Sequence, residues 1–418
     1  MISTVTLSRV GRSGFGAVAG IFFLAVAVRL LVAGFVLGLD TPATGEPSSD
    51  SRIHMHIVEN LLSGKGYAQD GAPVATTPPL YVLFLAGVYG LGATPATVRV
   101  VQAVLGAAAC LLLYVIGRKM FDDQVALLAA LLLSVHPAYT YVAGLHLTEN
   151  AFLPLLLLAL LCAVTLGSRP SAREALMLGA AAGLGSLARA AFLGFLPFLL
   201  VWVLLRDGPR SVSAYRTVAL VVLGFAAVLA PWTVRNALVL RAFVPVQSNG
   251  ALVFWAGNNP HADGGLVWPT RKTWTGPKPP DDGRYGWRDL TVAEENATYF
   301  REALRWIREN PPAYLRLLAK KLVRLYGFTR ATDEAPLGAP VAAQAFQLAL
   351  YGFAAAGACL PAARRGSALL LFFLFAFTNA TALVFAGASR YALSMVPSLV
   401  LWAALALREA HRFAFGRA

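Results

Sequence analysis

Charge is scarce in this chain. Aspartate, glutamate, lysine and arginine make up only 13% of its 418 residues, against 57% apolar residues, a balance that would leave a soluble fold covered in hydrocarbon. An ordinary water-soluble domain is thereby excluded. Cysteine is scarcer still: Cys110, Cys162 and Cys359 all fall inside apolar segments, where they read as small buried hydrophobes and exclude a disulfide framework. Metal-ligand spacing is also missing. His54 and His56 lie two apart, so on a helix they point different ways, and His136, His146 and His261 are scattered. There is no phosphate-cradling glycine loop and no convincing internal repeat, which argues against ATP-driven transport.

What the chain has in abundance is long apolar runs. Stretches near 15–38, 96–117, 123–142, 149–166, 173–187, 190–206, 216–237, 341–361, 367–386 and 390–408 span, or nearly span, a hydrocarbon layer of about 30 Å. The expectation is an all-α polytopic membrane protein of about 10–12 helices. The first segment does not read as a removable signal peptide, because Arg29 interrupts it and no small-residue cleavage site follows. The net charge of +14 does not indicate nucleic acid, since the basic residues gather at segment ends: Arg9 and Arg12, Arg118 and Lys119, Arg169 and Arg173, the Arg206–Arg216 turn, Arg364 and Arg365, and Arg408, Arg412 and Arg417. Placing these in the cytoplasm puts 39–95, the turn 143–148, the stretch 241–340 and the turn 387–390 outside. That parity requires the piece 78–93, which begins Thr77-Pro78-Pro79-Leu80, to lie against the outer face. Its alternative, a further crossing, would invert Arg118 and Lys119.

Two carboxylates stand out on that outer side. Asp50 opens SSDSRIHMHIVENLL, whose Ile53, Ile57, Val58, Leu61 and Leu62 recur at the spacing of a short amphipathic interfacial helix, with Ser48 or Ser49 as its cap and Gly64 or Gly66 as its stop. Glu149 in HLTEN precedes an apolar run. Each reads either as a first-turn helix acid, with Thr148 capping before Glu149, or as a group kept at the membrane face for chemistry. Arg235 in PWTVRN, Arg390 in SRYALSMVP and, more weakly, Arg189 in SLARA sit at the same level. An arginine there either snorkels to headgroups or grips a phosphate with a planar pair of hydrogen bonds. Residues 245–290 read as an ordered loop or lid, and Thr291–Phe328 as helices broken at Pro311-Pro312, the second presenting Lys320, Lys321 and Arg324 to the interface. Trp255, Trp268, Tyr285 and Trp287 either stack on sugar rings or pack the lid.

These pieces, in this order, resemble the protein mannosyltransferase-like superfamily of glycosyltransferases that use polyprenyl-phosphate sugars (glycosyltransferase family 39-like, large-membrane GT-C fold), which includes the bacterial aminoarabinose transferases. The resemblance is carried by SSDSRIHMHIVENLLSGKGY, ATTPPLYVLFLAGVYGLGA, LLYVIGRKMFDD, LHLTEN, the central block beginning PWTVRN, and SRYALSMVP. It implies a GT-C-like helix bundle with outer-face loops. Asp50 matches the family's first-loop aspartate, the general base; Glu149 matches the second-loop acid, an orienting group or metal ligand. Ser51 stands where relatives often have a second acid, and Thr76 and Thr77 where some have a phosphate-gripping lysine, which throws that task onto Arg235 or Arg390 and its neighbour Tyr391, with Arg189.

The function so implied is inverting transfer of a sugar from a polyprenyl-phosphate donor to an extracytoplasmic hydroxyl on a glycan, lipid or protein, with a divalent metal as a candidate cofactor. The expected organisation is a catalytic module at 1–240 carrying the external loop 39–95, a lid region at 241–340 and C-terminal helices at 341–418. The expected setting is a bacterial inner membrane with the site facing the periplasm, among membrane lipids, as monomer or homodimer and without nucleic acid. Two other classes remain open: a transporter or lipid flippase using Asp50 and Glu149 for ion coupling, and a noncatalytic assembly subunit.

Overall fold

The computed structural model describes residues 12–274, 276, 290–327 and 340–416. Arg9, Arg417, Tyr285 and Trp287 lie outside the described residues. Long apolar runs become helices because, in lipid, the backbone must satisfy its own hydrogen bonds. The helices are α1 (Arg12–Val36), α2 (Ser49–Leu62), α3 (Pro79–Gly90), α4 (Pro95–Met120), α5 (Asp123–Ser134), α6 (Pro137–Val142), α7 (Glu149–Ser168), α8 (Ala172–Ala188), α9 (Leu196–Asp207), α10 (Val212–Leu240), α11 (Gly250–Ala256), α12 (Val292–Glu309), α13 (Pro311–Tyr326), α14 (Val341–Cys359), α15 (Leu369–Val384) and α16 (Val396–Phe415). The protein is an all-α polytopic membrane protein. Among the described residues, the strand structure is a two-residue ladder, Ala68–Gln69 against Ala72–Pro73, turned by Asp70 and Gly71, both at positive φ.

Among the described residues, eight helices are long and apolar enough to cross a membrane: Gly16–Val36, Pro95–Met120, Glu149–Ser168, Ala190–Asp207, Val212–Leu240, Val341–Cys359, Gly366–Val384 and Ser389–Phe415. The other two of the ten stretches are shorter. One is α5 with α6, broken where Pro137 starts a new helix; the other is the 17-residue α8. Helix α3 has 12 residues, about 18 Å at 1.5 Å per residue, too short to cross alone. It packs on α2 through Ile57, Val58, Tyr81, Val82 and Leu85.

Helix starts follow local chemistry. Thr94 accepts from the Thr97 amide at 3.3 Å ahead of Pro95, Asp122 from Val125, and Thr291 forms a capping box with Glu294. Gly179 of α8 and Gly224 of α10 let those helices touch backbone to backbone: a Cβ on Gly179 would strike the Val221 carbonyl, and one on Gly224 the Leu176 carbonyl.

Three sequence expectations are corrected. Cys359 is exposed, while Cys110 and Cys162 are buried. Ser48 occupies the N-cap of α2 but makes no capping bond. Lys321 does not face the interface: it is fully buried on the inner side of α13, where its ammonium donates to Asn258 Oδ1 at 2.7 Å and to the Leu383 carbonyl at 2.9 Å.

Candidate active site

The site forms where four chain segments meet at one end of the bundle. Asp50 lies in the first turn of α2, Glu149 opens α7, Arg189 caps the C-terminus of α8, and Arg390 lies in the 3-10 turn Ser389–Met395 that precedes α16. Arg390 joins the two carboxylates. Its Nη2 donates to Asp50 Oδ2 at 2.5 Å and its Nε lies 3.2 Å from Glu149 Oε1. Arg189 Nη1 donates to Glu149 Oε1 at 2.5 Å, and the Thr148 hydroxyl to Glu149 Oε2 at 3.1 Å. Thr148 therefore does not cap α7 with its side chain; it supports the carboxylate. Both guanidiniums also lie over the Tyr391 ring, at 5.3 Å for Arg189 and 5.7 Å for Arg390, close enough for cation–π attraction.

Exposure separates the two acids. The Glu149 side chain is 2% exposed and that of Asp50 39%, so Asp50 is the carboxylate an incoming molecule can reach. Its surroundings tune it: burial pushes its pKa up, but the Arg390 charge and hydrogen bond, with the His54 ring, prevail and leave it below the usual carboxylate value.

A second, wholly buried layer fixes this geometry. Arg99 Nη2 meets Glu46 Oε1 at 2.7 Å, His146 Nδ1 shares that oxygen at 2.6 Å, and all three side chains are 0% exposed. The His146 amide donates to Glu46 Oε2 at 2.8 Å. Arg99 also donates to the carbonyls of Gly144 at 2.8 Å and Leu39 at 2.6 Å, and Tyr89 bonds His146 Nε2 at 2.9 Å. This clasp stitches the loop between α1 and α2, four residues before Asp50, to the turn three residues before Glu149. Sequence reasoning passed over Glu46 and Arg99 and treated His146 as lone. The available signal was a charge inside an apolar helix, Arg99 in α4. The Arg390 turn is likewise pinned: Tyr139 donates to the Leu393 carbonyl at 2.5 Å, and the Gly387 amide to Gly264 at 2.8 Å.

Arg235 sits outside this network of contacts. Its guanidinium donates to the carbonyls of Val74 at 2.7 Å and Tyr67 at 2.9 Å and stacks over Trp232 and Tyr67, tying α10 to the small hairpin. Trp255 is buried against Trp274 and Tyr299, which packs the lid, while Trp268 is partly exposed.

A divalent metal does not fit these residues as arranged. Arg390 takes Asp50 Oδ2, the two guanidiniums and the Thr148 hydroxyl take both Glu149 oxygens, Ser51 is a buried hydroxyl without a hydrogen-bond partner, and no group of three metal-type ligands occurs among the described residues.

A profile of the dolichyl-phosphate-mannose-protein mannosyltransferases matches residues 76–234. No curated protein sequence matches significantly. Among solved structures, the apo oligosaccharyltransferase of Archaeoglobus fulgidus is similar at TM-score 0.60 and 15% identity, over 96% of this chain and 51% of that one. ArnT from Cupriavidus metallidurans, bound to undecaprenyl phosphate, is similar at TM-score 0.56 and 15% identity, over 97% and 62%. The Archaeoglobus fulgidus oligosaccharyltransferase AglB, in complex with an inhibitory peptide and a dolichol-phosphate, is similar at TM-score 0.51 and 14% identity, over 96% and 52%. The chain thus spans about half to three fifths of the length of the structures it matches. At these identities the likeness is one of fold, and the fold is the GT-C-like transmembrane bundle.

Proposed function

We propose that the protein is an inverting glycosyltransferase that moves a sugar from a polyprenyl-phosphate donor to a hydroxyl on an extracytoplasmic glycan, lipid or protein. The observation that carries this reading is the quartet itself: a reachable Asp50 and a buried Glu149 bridged by Arg390, with Arg189 beside them. A family profile over 76–234 and a shared fold with proteins crystallised with undecaprenyl phosphate and dolichol-phosphate support it.

In this reading the donor's tail lies in the bilayer and its phosphate meets Arg390. Asp50 takes the proton of the acceptor hydroxyl as the oxygen attacks the anomeric carbon, and the bond from that carbon to the phosphate oxygen breaks. Phosphate is a good leaving group, so the site needs a base and fixed positive charge where negative charge grows. Glu149, between two arginines, orients them; it is too buried to serve as a nucleophile for retention. The basic turns lie at the opposite end, where Arg408 and Arg412 approach Asp122, and the positive-inside rule supports reading the site as extracytoplasmic, in this proposal on the periplasmic side of a bacterial inner membrane. Its position at one end, away from the midplane, favours an enzyme over a transporter.

The test is to present purified protein in vesicles with a panel of radiolabelled polyprenyl-phosphate sugars and a membrane extract. Transfer of one sugar by the wild type and its loss in Asp50→Asn are expected; no transfer from any donor would refute the reading.

A further inference from the structure

Among the described residues the site's charges balance, with Asp50 and Glu149 facing Arg189 and Arg390. A donor phosphodiester brings one more negative charge. Once the acceptor's proton has reached Asp50, the leaving phosphate carries two. At either stage the site holds one negative charge in excess unless another group becomes positive.

His54 is placed to supply it. It follows Asp50 by one helical turn, on the same face of α2. The residue is 4% exposed, and its ring meets Tyr81 edge-on at 5.6 Å. Nδ1 lies 2.8 Å from the His146 carbonyl oxygen, which can only accept, so the neutral ring carries its proton on Nδ1 and leaves Nε2 free to take another. The groups facing the imidazole are Asp50 from α2, Glu149 from α7, Arg390 from the 389–395 turn, the Tyr81 phenol from α3 and the His146 carbonyl. Burial holds the ring neutral against the pull of Asp50, the His146 carbonyl and Glu149, and Arg390 adds to that restraint. A phosphate that draws Arg390 off Asp50 weakens the cation that opposes charge on the imidazole. The neighbouring histidines are committed elsewhere, His146 to Glu46 and Tyr89 and His56 beside Asp70.

We propose that His54 is the third cation of the site, taking a proton onto Nε2 as the donor phosphate enters and replacing Arg390 beside Asp50. This rests on the donor reading above. One proton enters from solvent with the donor. The acceptor's proton moves to Asp50 as its oxygen bonds to the anomeric carbon, and the electron pair of the broken carbon–oxygen bond stays on the phosphate. Both protons leave when polyprenyl phosphate departs. His54 acts through the charge on Asp50 and the phosphate, as a positioning residue.

The test is calorimetric titration with a short-chain polyprenyl methyl phosphate, a diester of one fixed charge, in buffers of different ionisation enthalpy, which counts protons bound per ligand. The wild type is expected to take up about one proton near neutral pH, its affinity weakening by up to about tenfold per pH unit as pH rises. His54→Asn keeps a donor for the His146 carbonyl; it and His54→Gln should bind without proton uptake and with a flat pH dependence. Uptake that persists in either variant, or none in the wild type, overturns the proposal while leaving the donor reading intact. A diester that does not bind the wild type at all overturns both.

Discussion

Arg390 holds Asp50 and Glu149 at once, so a change at this residue should appear as a change in Asp50. Burial alone would raise the Asp50 pKa, and Arg390 is the largest of the influences that lower it. With Arg390 in place Asp50 stays ionised to below its ordinary value of 3.8; without it, a proton stays bound to higher pH. Arg390→Gln is therefore predicted to move the acid limb of kcat/KM to higher pH, and Arg390→Lys, which keeps the charge but not the fork, to move it less. An unmoved limb in Arg390→Gln would count against the pairing. Asp50→Asn is predicted to lower kcat by about 10²–10⁴, the usual contribution of a general base, with donor binding retained. Much of this cluster was legible residue by residue, because acids and arginines flanking apolar runs are costly and therefore conspicuous. Glu46 was not: its partners, Arg99 and His146, lie 53 and 100 residues away, and no local pattern announces such a pairing.

Elements set the cluster by being tied to one another. The Glu46–Arg99–His146 clasp joins the first loop to the 143–148 turn with fully buried charge, and removing one partner of a buried pair costs about 3–5 kcal/mol. Glu46→Gln is predicted to lower stability by that order and to expose the first loop to proteolysis at an unchanged protease concentration; a wild-type cleavage pattern would contradict this. Lys321 binds carbonyls at the end of α15, just before the Arg390 turn. Its pKa is pushed down to about 8 by burial, against 10.5 for an ordinary lysine. Between those values the unfolded chain holds a proton that the folded chain has shed, so this group adds stability as pH rises through the window. Thermal melts should show wild type gaining on Lys321→Met from pH 8 upward; a constant difference would sink the assignment. The helix pattern at 291–328 was readable from sequence. Which face of α13 turns inward was not, because the periodicity alone sent Lys321 outward and only its acceptors, Asn258 and the end of α15, explain its burial.

At the scale of the whole molecule, the ten apolar stretches give an ordered bundle whose basic turns and candidate site occupy opposite ends. Hydropathy disclosed the stretches, since lipid leaves the backbone few choices; it did not disclose that α3 would lie on α2 or that α8 and α10 would touch through glycines. Gly179→Val is predicted to force those helices apart and lower the melting temperature in detergent, with Ala182→Val, on the same helix, as the comparison. The central claim, that the quartet performs bond cleavage and does not merely move lipid or ions, is tested most directly by following the fate of a doubly labelled polyprenyl-phosphate sugar in sealed vesicles containing wild type or Asp50→Asn. The account predicts that wild type, given acceptor, separates the sugar label from the lipid label and that Asp50→Asn does not. A donor that stays whole in both while changing leaflets would contradict it and make the protein a flippase.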